Sequence, residues 1–305
     1  MEVSPNKTFE AQLLRTRNAV DTELGVWLRE VQWPLDFSEA LRHVLEGAGK
    51  AVRPALVFSF AEVFRGEDTL SIPSLRRLAL SLELMHTYSL VHDDLPAMDD
   101  DDFRRGRPTL HVLKGDAFAV LAGDALLTAS FQALGESFRD APEKLPRAVA
   151  LLAQAAGAAG MIAGQWLDMK SEGGRGEASA TLLEEIHRKK TGALMSASCL
   201  LGALHALPIK EFSRFEPEIA SWGEDLGLLF QMVDDLLDTR ATRAELGKTP
   251  GKDAESGKLT YVSLIGIPAL EVRVRDTAAR LQSPCFAPEH LVLSQLVGFV
   301  AGRGA

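Results

Sequence analysis

The side chains best equipped for chemistry are aspartates, and they fall in two clusters. The first runs Asp93-Asp94-Leu95-Pro96-Ala97-Met98-Asp99-Asp100-Asp101-Asp102, and the second is Asp234-Asp235-Leu236-Leu237-Asp238. On a helix, positions i and i+4 differ by only about 40° of rotation, so Asp234 and Asp238 share a face with Asp235 alongside. Such a face repels itself unless a cation joins it, and all-oxygen donors suit Mg²⁺ rather than zinc or copper. A solvated acidic helix face accounts for this spacing equally well. In the first cluster, Asp93 and Asp99 would lie about 240° apart on an unbroken helix. Pro96 changes this, because it disfavours the α conformation at Leu95 and interrupts the ladder. The chain can then fold back and bring Asp99 near Asp93. Arg104-Arg105-Gly106-Arg107 follows at once. Carboxylates for a metal, followed by guanidinium groups for phosphate oxygens, are what a bound metal–phosphate complex requires. The alternative is a charge-compensated surface loop.

Further cations stand where an anion could use them. Gly49-Lys50-Ala51-Val52-Arg53-Pro54 precedes a helical run, Lys189-Lys190-Thr191-Gly192 adds a hydroxyl, and Lys248 and Lys258 follow the second cluster at intervals of ten residues. Each alone is explained as a solvated surface cation. His86 and His92 flank the approach to the first cluster, and His86 falls on an apolar stripe that could face a cavity. Neither a GxSxG nucleophile signature nor a P-loop occurs. Metal-and-diphosphate chemistry is the reading left standing.

The elements that must position these residues read as helices. In Ile72 to His92 the positions Leu75, Leu78, Ala79, Leu82, Met85, His86 and Ser89 recur at intervals of three and four, with Arg76, Arg77 and Glu83 mainly elsewhere. Comparable patterns span Phe9 to Leu28, Ala117 to Leu134, Leu182 to Leu204 and Ile219 to Leu237, and sustained period-two alternation is not evident. The chain is predicted to be all-α. Breaks fall at Trp33-Pro34, Gly66 to Pro73, Gly106 to Pro108, Asp140 to Pro146, Glu172 to Gly176, Leu207-Pro208 and Thr249 to Gly257. None has the length or bias of an interdomain linker, so one domain over residues 1–305 is expected, with a last helix after Pro284 to Pro288.

With 33 Lys+Arg against 42 Asp+Glu the formal charge is −9, which argues against a nucleic-acid partner. Hydrophobic residues at 46% and charged residues at 25% are the proportions of a folded globule. Cys199 and Cys285 are too few for a disulfide framework and read as reduced, buried thiols. Met1 to Asn18 lacks an apolar h-region, so a cytoplasmic protein is expected. Ala148 to Leu167 is apolar and carries Gly160 and Gly164 as GxxxG, but it is mostly Ala and Gly, giving weak transfer into lipid. Small residues also let helices approach closely in a soluble core, and no membrane span is expected.

Taken together, these segments resemble the trans-prenyltransferases, or polyprenyl diphosphate synthases, and most closely the bacterial farnesyl diphosphate synthases. The likeness runs from His86 through Tyr88-Ser89-Leu90-Val91-His92-Asp93-Asp94 to Asp99, Arg105-Gly106 and Pro108-Thr109. It extends over nearly the whole chain: Gly49 to Pro54, Gly123 to Leu126, Gly160 to Asp168, Lys190 to Gly192, Phe230-Gln231 with Asp234 to Asp238, Leu246 to Lys248, and Gly257 to Tyr261. The resemblance implies an all-helical fold around a deep central cavity, the isoprenoid synthase type, with the two aspartate motifs facing each other across its mouth, usually in a homodimer. It implies three Mg²⁺ ions, with Mn²⁺ a possible substitute, held by Asp93 and Asp99 on one side and Asp234 on the other. Asp94, Asp235 and Asp238 give close support. Arg104, Lys190, Gln231 and Lys248 would hold an allylic diphosphate, dimethylallyl or geranyl, with Thr191 near the carbocation. Lys50, Arg53, His86 and Arg105 would hold isopentenyl diphosphate, and Lys258 belongs to the substrate-binding set.

In this family a bulky aromatic at the position of Tyr88, five residues before Asp93, goes with short products. With Ser89 it would set chain length. The two-residue-longer spacer at Leu95–Met98 fits the bacterial short-chain type, so farnesyl diphosphate (C15) is the expected product and C20 the alternative. Ala51 and Val52 depart from the commoner Arg and Leu-like residue, leaving a less basic edge to the isopentenyl site. Val262 stands where Pro is usual. A terpene cyclase would lack Lys50 and Arg53, and a catalytically dead partner subunit would lack the aspartate motifs. Both are disfavoured.

Overall fold

The helix that ends in the first aspartate cluster is the axis of the molecule. A computed structural model describes residues 5–31, 33–45, 49–66, 68–171, 179–240, 259–284, 286–287 and 290–303. In chain order the elements are α1 (Pro5–Glu30), α2 (Leu35–Leu45), α3 (Val52–Arg65) and α4 (Pro73–Asp93), then strands β1 (Phe103–Arg104) and β2 (Arg107–Pro108). There follow α5 (Leu110–Lys114), α6 (Asp116–Ser137), a 3₁₀ turn at Pro142–Lys144, α7 (Leu145–Ala156) and α8 (Met161–Ser171). The second half holds α9 (Ala180–His187), a π-helical turn at Arg188–Gly192, α10 (Ala193–Ala206), α11 (Ile209–Arg240), α12 (Tyr261–Leu281) and α13 (Leu291–Gly302).

Pro73 opens α4 at a position where its missing N–H has no helical partner to lose. The sequence pattern suggests one buried stripe, but α4 is surrounded by α1, α3, α6 and α10, so Leu80, Ser81, Glu83, Leu84 and Thr87 are buried as well. Polar side chains on it are therefore matched. Ser81 Oγ donates to the Ser130 carbonyl at 2.8 Å, and Ser130 Oγ returns a bond to the Ser81 carbonyl at 3.0 Å, stitching α4 to α6. Around this axis α3 packs on α10 and α10 on α11, and one continuous apolar core includes Trp27, Phe58, Phe60, Phe138, Phe212 and Tyr261.

The all-α expectation holds, with two local refinements. The break at Gly106 to Pro108 is a two-residue hairpin in which Phe103 pairs with Pro108 and Arg104 with Arg107. Arg105 and Gly106 at its tip have φ of 53° and 76°, the left-handed pair that the tightest hairpins need. The pattern read as continuous from Leu182 to Leu204 is instead α9, the π-turn and α10. A π-turn widens the helix by one residue without abolishing its apolar periodicity, which is why spacing alone does not reveal it.

Asp116–Ser137 and Pro142–Ser171 are long and apolar enough to cross a membrane by length and composition alone. The second is not one rod: it breaks between Ala156 and Met161, so the Ala148-to-Leu167 stretch is divided between two short helices. The first buries Ala119, Ala122, Leu126, Ala129 and Ala133 in the core. Cys199 is buried and reduced, and burial raises its thiol pKa well above the ordinary value. Cys285, Lys248, Lys258 and the breaks at Glu172 to Gly176 and Thr249 to Gly257 lie outside the described residues.

Candidate active site

α4 stops at Asp93 because the proline-containing turn closes on its own end. The Asp99 N–H donates to the Asp93 carbonyl at 2.8 Å, Asp100 N–H to Leu95 at 3.1 Å and Asp101 N–H to Asp94 at 3.2 Å. The fold-back expected from Pro96 is therefore present, and it carries Asp99 beside Asp93. Asp100 adopts a left-handed conformation with φ 50°, which aspartate tolerates better than most residues. Thr109 Oγ1 donates to the Asp101 carbonyl at 2.9 Å and fastens the loop to the start of α5.

From the second half of the chain, α11 presents Asp234, Asp235 and Asp238 to the cavity that Asp93 and Asp99 also line. This cavity, about 1550 Å³, is also lined by Asp93, Asp99, Lys50, Arg53, His86, Tyr88, Ser89, Arg104, Arg105, Lys190, Thr191 and Gln231. Every described residue expected at the site thus lines it except Asp94. The Asp94 side chain is buried away from the wall and accepts Arg104 Nε and Nη2, each at 2.6 Å, so it braces a cation.

The electrostatics are those of two acidic walls and a basic end. Burial, reinforced by Asp99, pushes the Asp93 carboxyl up to about 6 despite Lys190 nearby. Burial does the same to Asp234, also to about 6, against the pull of Arg303 and with repulsion from Asp238. Asp234 accepts Arg303 Nη2 at 2.8 Å and Gln231 Nε2 at 3.2 Å, and Thr191 Oγ1 donates to Gln231 Oε1 at 3.1 Å. Asp235 accepts the Tyr261 N–H at 2.7 Å, a first-turn amide with no helical partner of its own, in a helix that kinks at Gly266. Lys190 Nζ reaches the buried Asp168 at 2.7 Å.

At the basic end, Arg53, Arg105 and His86 gather above a buried ion pair in which Arg17 Nη2 lies 3.0 Å from Glu83 Oε1. Arg17 also donates to the Gly49 carbonyl at 2.9 Å, pinning the segment that carries Lys50. Burial lowers the Arg53 pKa to about 10, with Glu83 opposing, and Arg53 Nε has no hydrogen-bond partner. Burial, then Arg53 and Arg105, hold the His86 imidazole neutral. A neutral imidazole can still donate one N–H to an anion.

Among the described residues no group of three or more His, Cys, Asp or Glu side chains forms a metal cage. The two carboxylate sets, for the most part partly exposed on the lining of one cavity, instead fit a hard cation that keeps water and phosphate oxygens in its shell, as Mg²⁺ characteristically does. Sequence reasoning missed four contributors. Glu83 was legible as an acid three residues before His86 on an apolar helix. Asp168 closes the Gly160-to-Asp168 segment of the resemblance without being singled out there, and Arg17 and Arg303 reach the site from distant segments and leave no local signal.

The polyprenyl synthetase family model matches residues 35–281. Geranylgeranyl pyrophosphate synthase 7, chloroplastic, of Arabidopsis thaliana is 40% identical over 299 residues, covering 97% of this chain and 80% of its own. Among solved structures, the geranyltransferase of Helicobacter pylori complexed with magnesium and isoprenyl diphosphate superposes with a TM-score of 0.80 at 28% identity, over 99% of this chain and 98% of the other. An FPP/GFPP synthase of Zymomonas mobilis gives a TM-score of 0.80 at 27% identity, over 97% and 98%.

Proposed function

Since the chain belongs to the polyprenyl synthetase family and is a prenyltransferase that elongates prenyl diphosphates head to tail, we propose that it condenses isopentenyl diphosphate with dimethylallyl and then geranyl diphosphate to give (2E,6E)-farnesyl diphosphate. The observation that supports this is a single cavity lined by both carboxylate sets, by the Lys50–Arg53–Arg105 cations, and by apolar side chains together with the Tyr88 ring. In this reading residues 1–305 act as one catalytic domain.

Asp93, Asp99 and Asp234 hold Mg²⁺, with Asp235 and Asp238 in support and Asp94 acting through Arg104. When bound, the metal neutralises the diphosphate that departs. Lys190, Gln231, Arg104 and Lys248 are assigned to the allylic diphosphate, and Lys258 to substrate binding. Lys50, Arg53, Arg105 and the neutral His86 grip isopentenyl diphosphate through charge and one imidazole N–H. The carbon–oxygen bond of the allylic substrate breaks, the isopentenyl double bond attacks the carbocation to form the new carbon–carbon bond, and a proton passes to the released diphosphate. Met161, Ile162, Trp166 and Phe230 line the cavity and exclude water that would quench the cation, while Thr191 lies near it.

A C20 product is the second reading, favoured by 40% identity to a geranylgeranyl pyrophosphate synthase. The exposed Val112, Leu113 and Leu121 on α5 and α6 support a homodimer, which sedimentation would detect. The deciding experiment incubates the protein with Mg²⁺, dimethylallyl diphosphate and labelled isopentenyl diphosphate, then sizes the dephosphorylated products. A C15 alcohol is expected. C20 would move the floor beyond Tyr88, and no incorporation with Mg²⁺ or Mn²⁺ would overturn the synthase reading.

A further inference from the structure

Arg303, just beyond α13, carries no role in the chemistry above, yet it is wired into the second carboxylate set. Its Nη2 donates to Asp234 Oδ1 at 2.8 Å and its guanidinium carbon stacks 4.2 Å from the Phe230 ring centre. Nε and Nη1 are buried without a hydrogen-bond partner. Lys50 and Arg303 repel across the cavity, and both are drawn to Asp234. Asp234 is thus a partly exposed carboxylate that accepts Gln231 on its second oxygen and the Arg303 guanidinium on its first.

We propose that Arg303 is a place-holder for the metal at Asp234. It compensates the carboxylate while Mg²⁺ is absent, yields that oxygen when Mg²⁺ enters, and turns its freed N–H groups toward the diphosphate. The inference rests on the metal–diphosphate reading of the cavity. The physical reasoning is competitive. The Arg303 guanidinium already neutralises the carboxylate oxygen it pairs with and sets a like charge beside any Mg²⁺ that joins it, so the ion pair weakens binding of the metal alone. A planar fork with two unused N–H groups, held by an aromatic face, is pre-organised for an oxyanion once released. Arg303 therefore acts with opposite sign on the two ligands, which a merely structural arginine would not.

The test is calorimetric titration of MgCl₂ alone into the metal-free full-length protein, then of inorganic diphosphate in the presence of Mg²⁺, for wild type, Arg303→Gln and Arg303→Lys. Arg303→Gln is expected to bind Mg²⁺ alone about 3- to 10-fold tighter, and diphosphate about 10-fold more weakly. Arg303→Lys, which keeps the charge without the fork, should fall between. Phe230→Leu retains the arginine but removes its stacking face, and should shift Mg²⁺ affinity in the same direction, which guards against a folding defect in Arg303→Gln. Unchanged or weaker Mg²⁺ binding in both Arg303→Gln and Phe230→Leu would overturn the place-holder role while leaving the proposed reaction intact. Absence of any Mg²⁺–diphosphate binding by the wild type would overturn both.

Discussion

The Tyr88 ring lies on the cavity wall with the His92 imidazole edge-on to it, 5.8 Å between ring centres, and His92 Nε2 donates to the Val120 carbonyl of α6 at 3.0 Å. The ring is thus backed by a side chain that is itself anchored to a neighbouring helix, and it cannot swing aside freely. Tyr88→Ala opens roughly 100 Å³ of apolar space. It should shift the product by one or more C5 units while leaving the first condensation intact, read by chromatography of the dephosphorylated products. An active variant with an unchanged product would remove Tyr88 as the floor. At this scale the sequence was informative where chemistry is concentrated in a run, as in the two aspartate clusters. It was silent where partners come from afar: Arg303 is 69 residues from Asp234, and Arg17 is 66 from Glu83. Asp94 shows a further limit. Adjacency to Asp93 suggests a shared role, but the helix turn points its carboxylate to Arg104 instead.

Among the elements, the π-turn has no counterpart in the periodicity, and it delivers two of the site's side chains. Its signature bond runs from the Ala193 N–H to the Arg188 carbonyl, and the extra residue puts Lys190 and Thr191 on the cavity side. Two glycines clamp it. A methyl at Gly164 of α8 would overlap the Lys190 backbone nitrogen, and one at Gly227 of α11 would overlap Gly192 Cα. The small residues at Gly160 and Gly164 are legible as a close approach of helices, but not the partner they approach. In a helix interior Gly→Ala ordinarily stabilises by about 1 kcal/mol. Gly164→Ala should instead destabilise by roughly 1–3 kcal/mol through overpacking. It should also pull Lys190 off Asp168, raising the KM for the allylic substrate more than that for isopentenyl diphosphate. Urea unfolding and steady-state kinetics check both, and a stabilised variant with normal KM would show that the contact relaxes freely.

For the molecule as a whole, the fold stores unfavourable charge where the ligands enter. The Asp93 and Asp234 carboxyls sit at about 6 rather than the ordinary 3.8, chiefly through burial. Each therefore holds its proton more tightly in the native state than in the unfolded chain. Their contribution favours the fold below about pH 4 and is lost as pH rises through about 6. Replacing both by asparagine mimics the protonated form. In metal-free buffer the Asp93→Asn/Asp234→Asn variant should gain on wild type as pH rises from 4 to 7, by roughly 1–3 kcal/mol after allowing for partial exposure. Mg²⁺ reverses the order. It binds the ionised carboxylates, so its stabilisation of wild type should grow over the same interval, whereas the variant should respond little. Thermal unfolding at several pH values, with and without Mg²⁺, reads both trends from one set of melts. A variant that gains nothing on wild type between pH 4 and 7 without metal would mean that these carboxylates are satisfied within the protein, leaving them no electrostatic reason to recruit a cation.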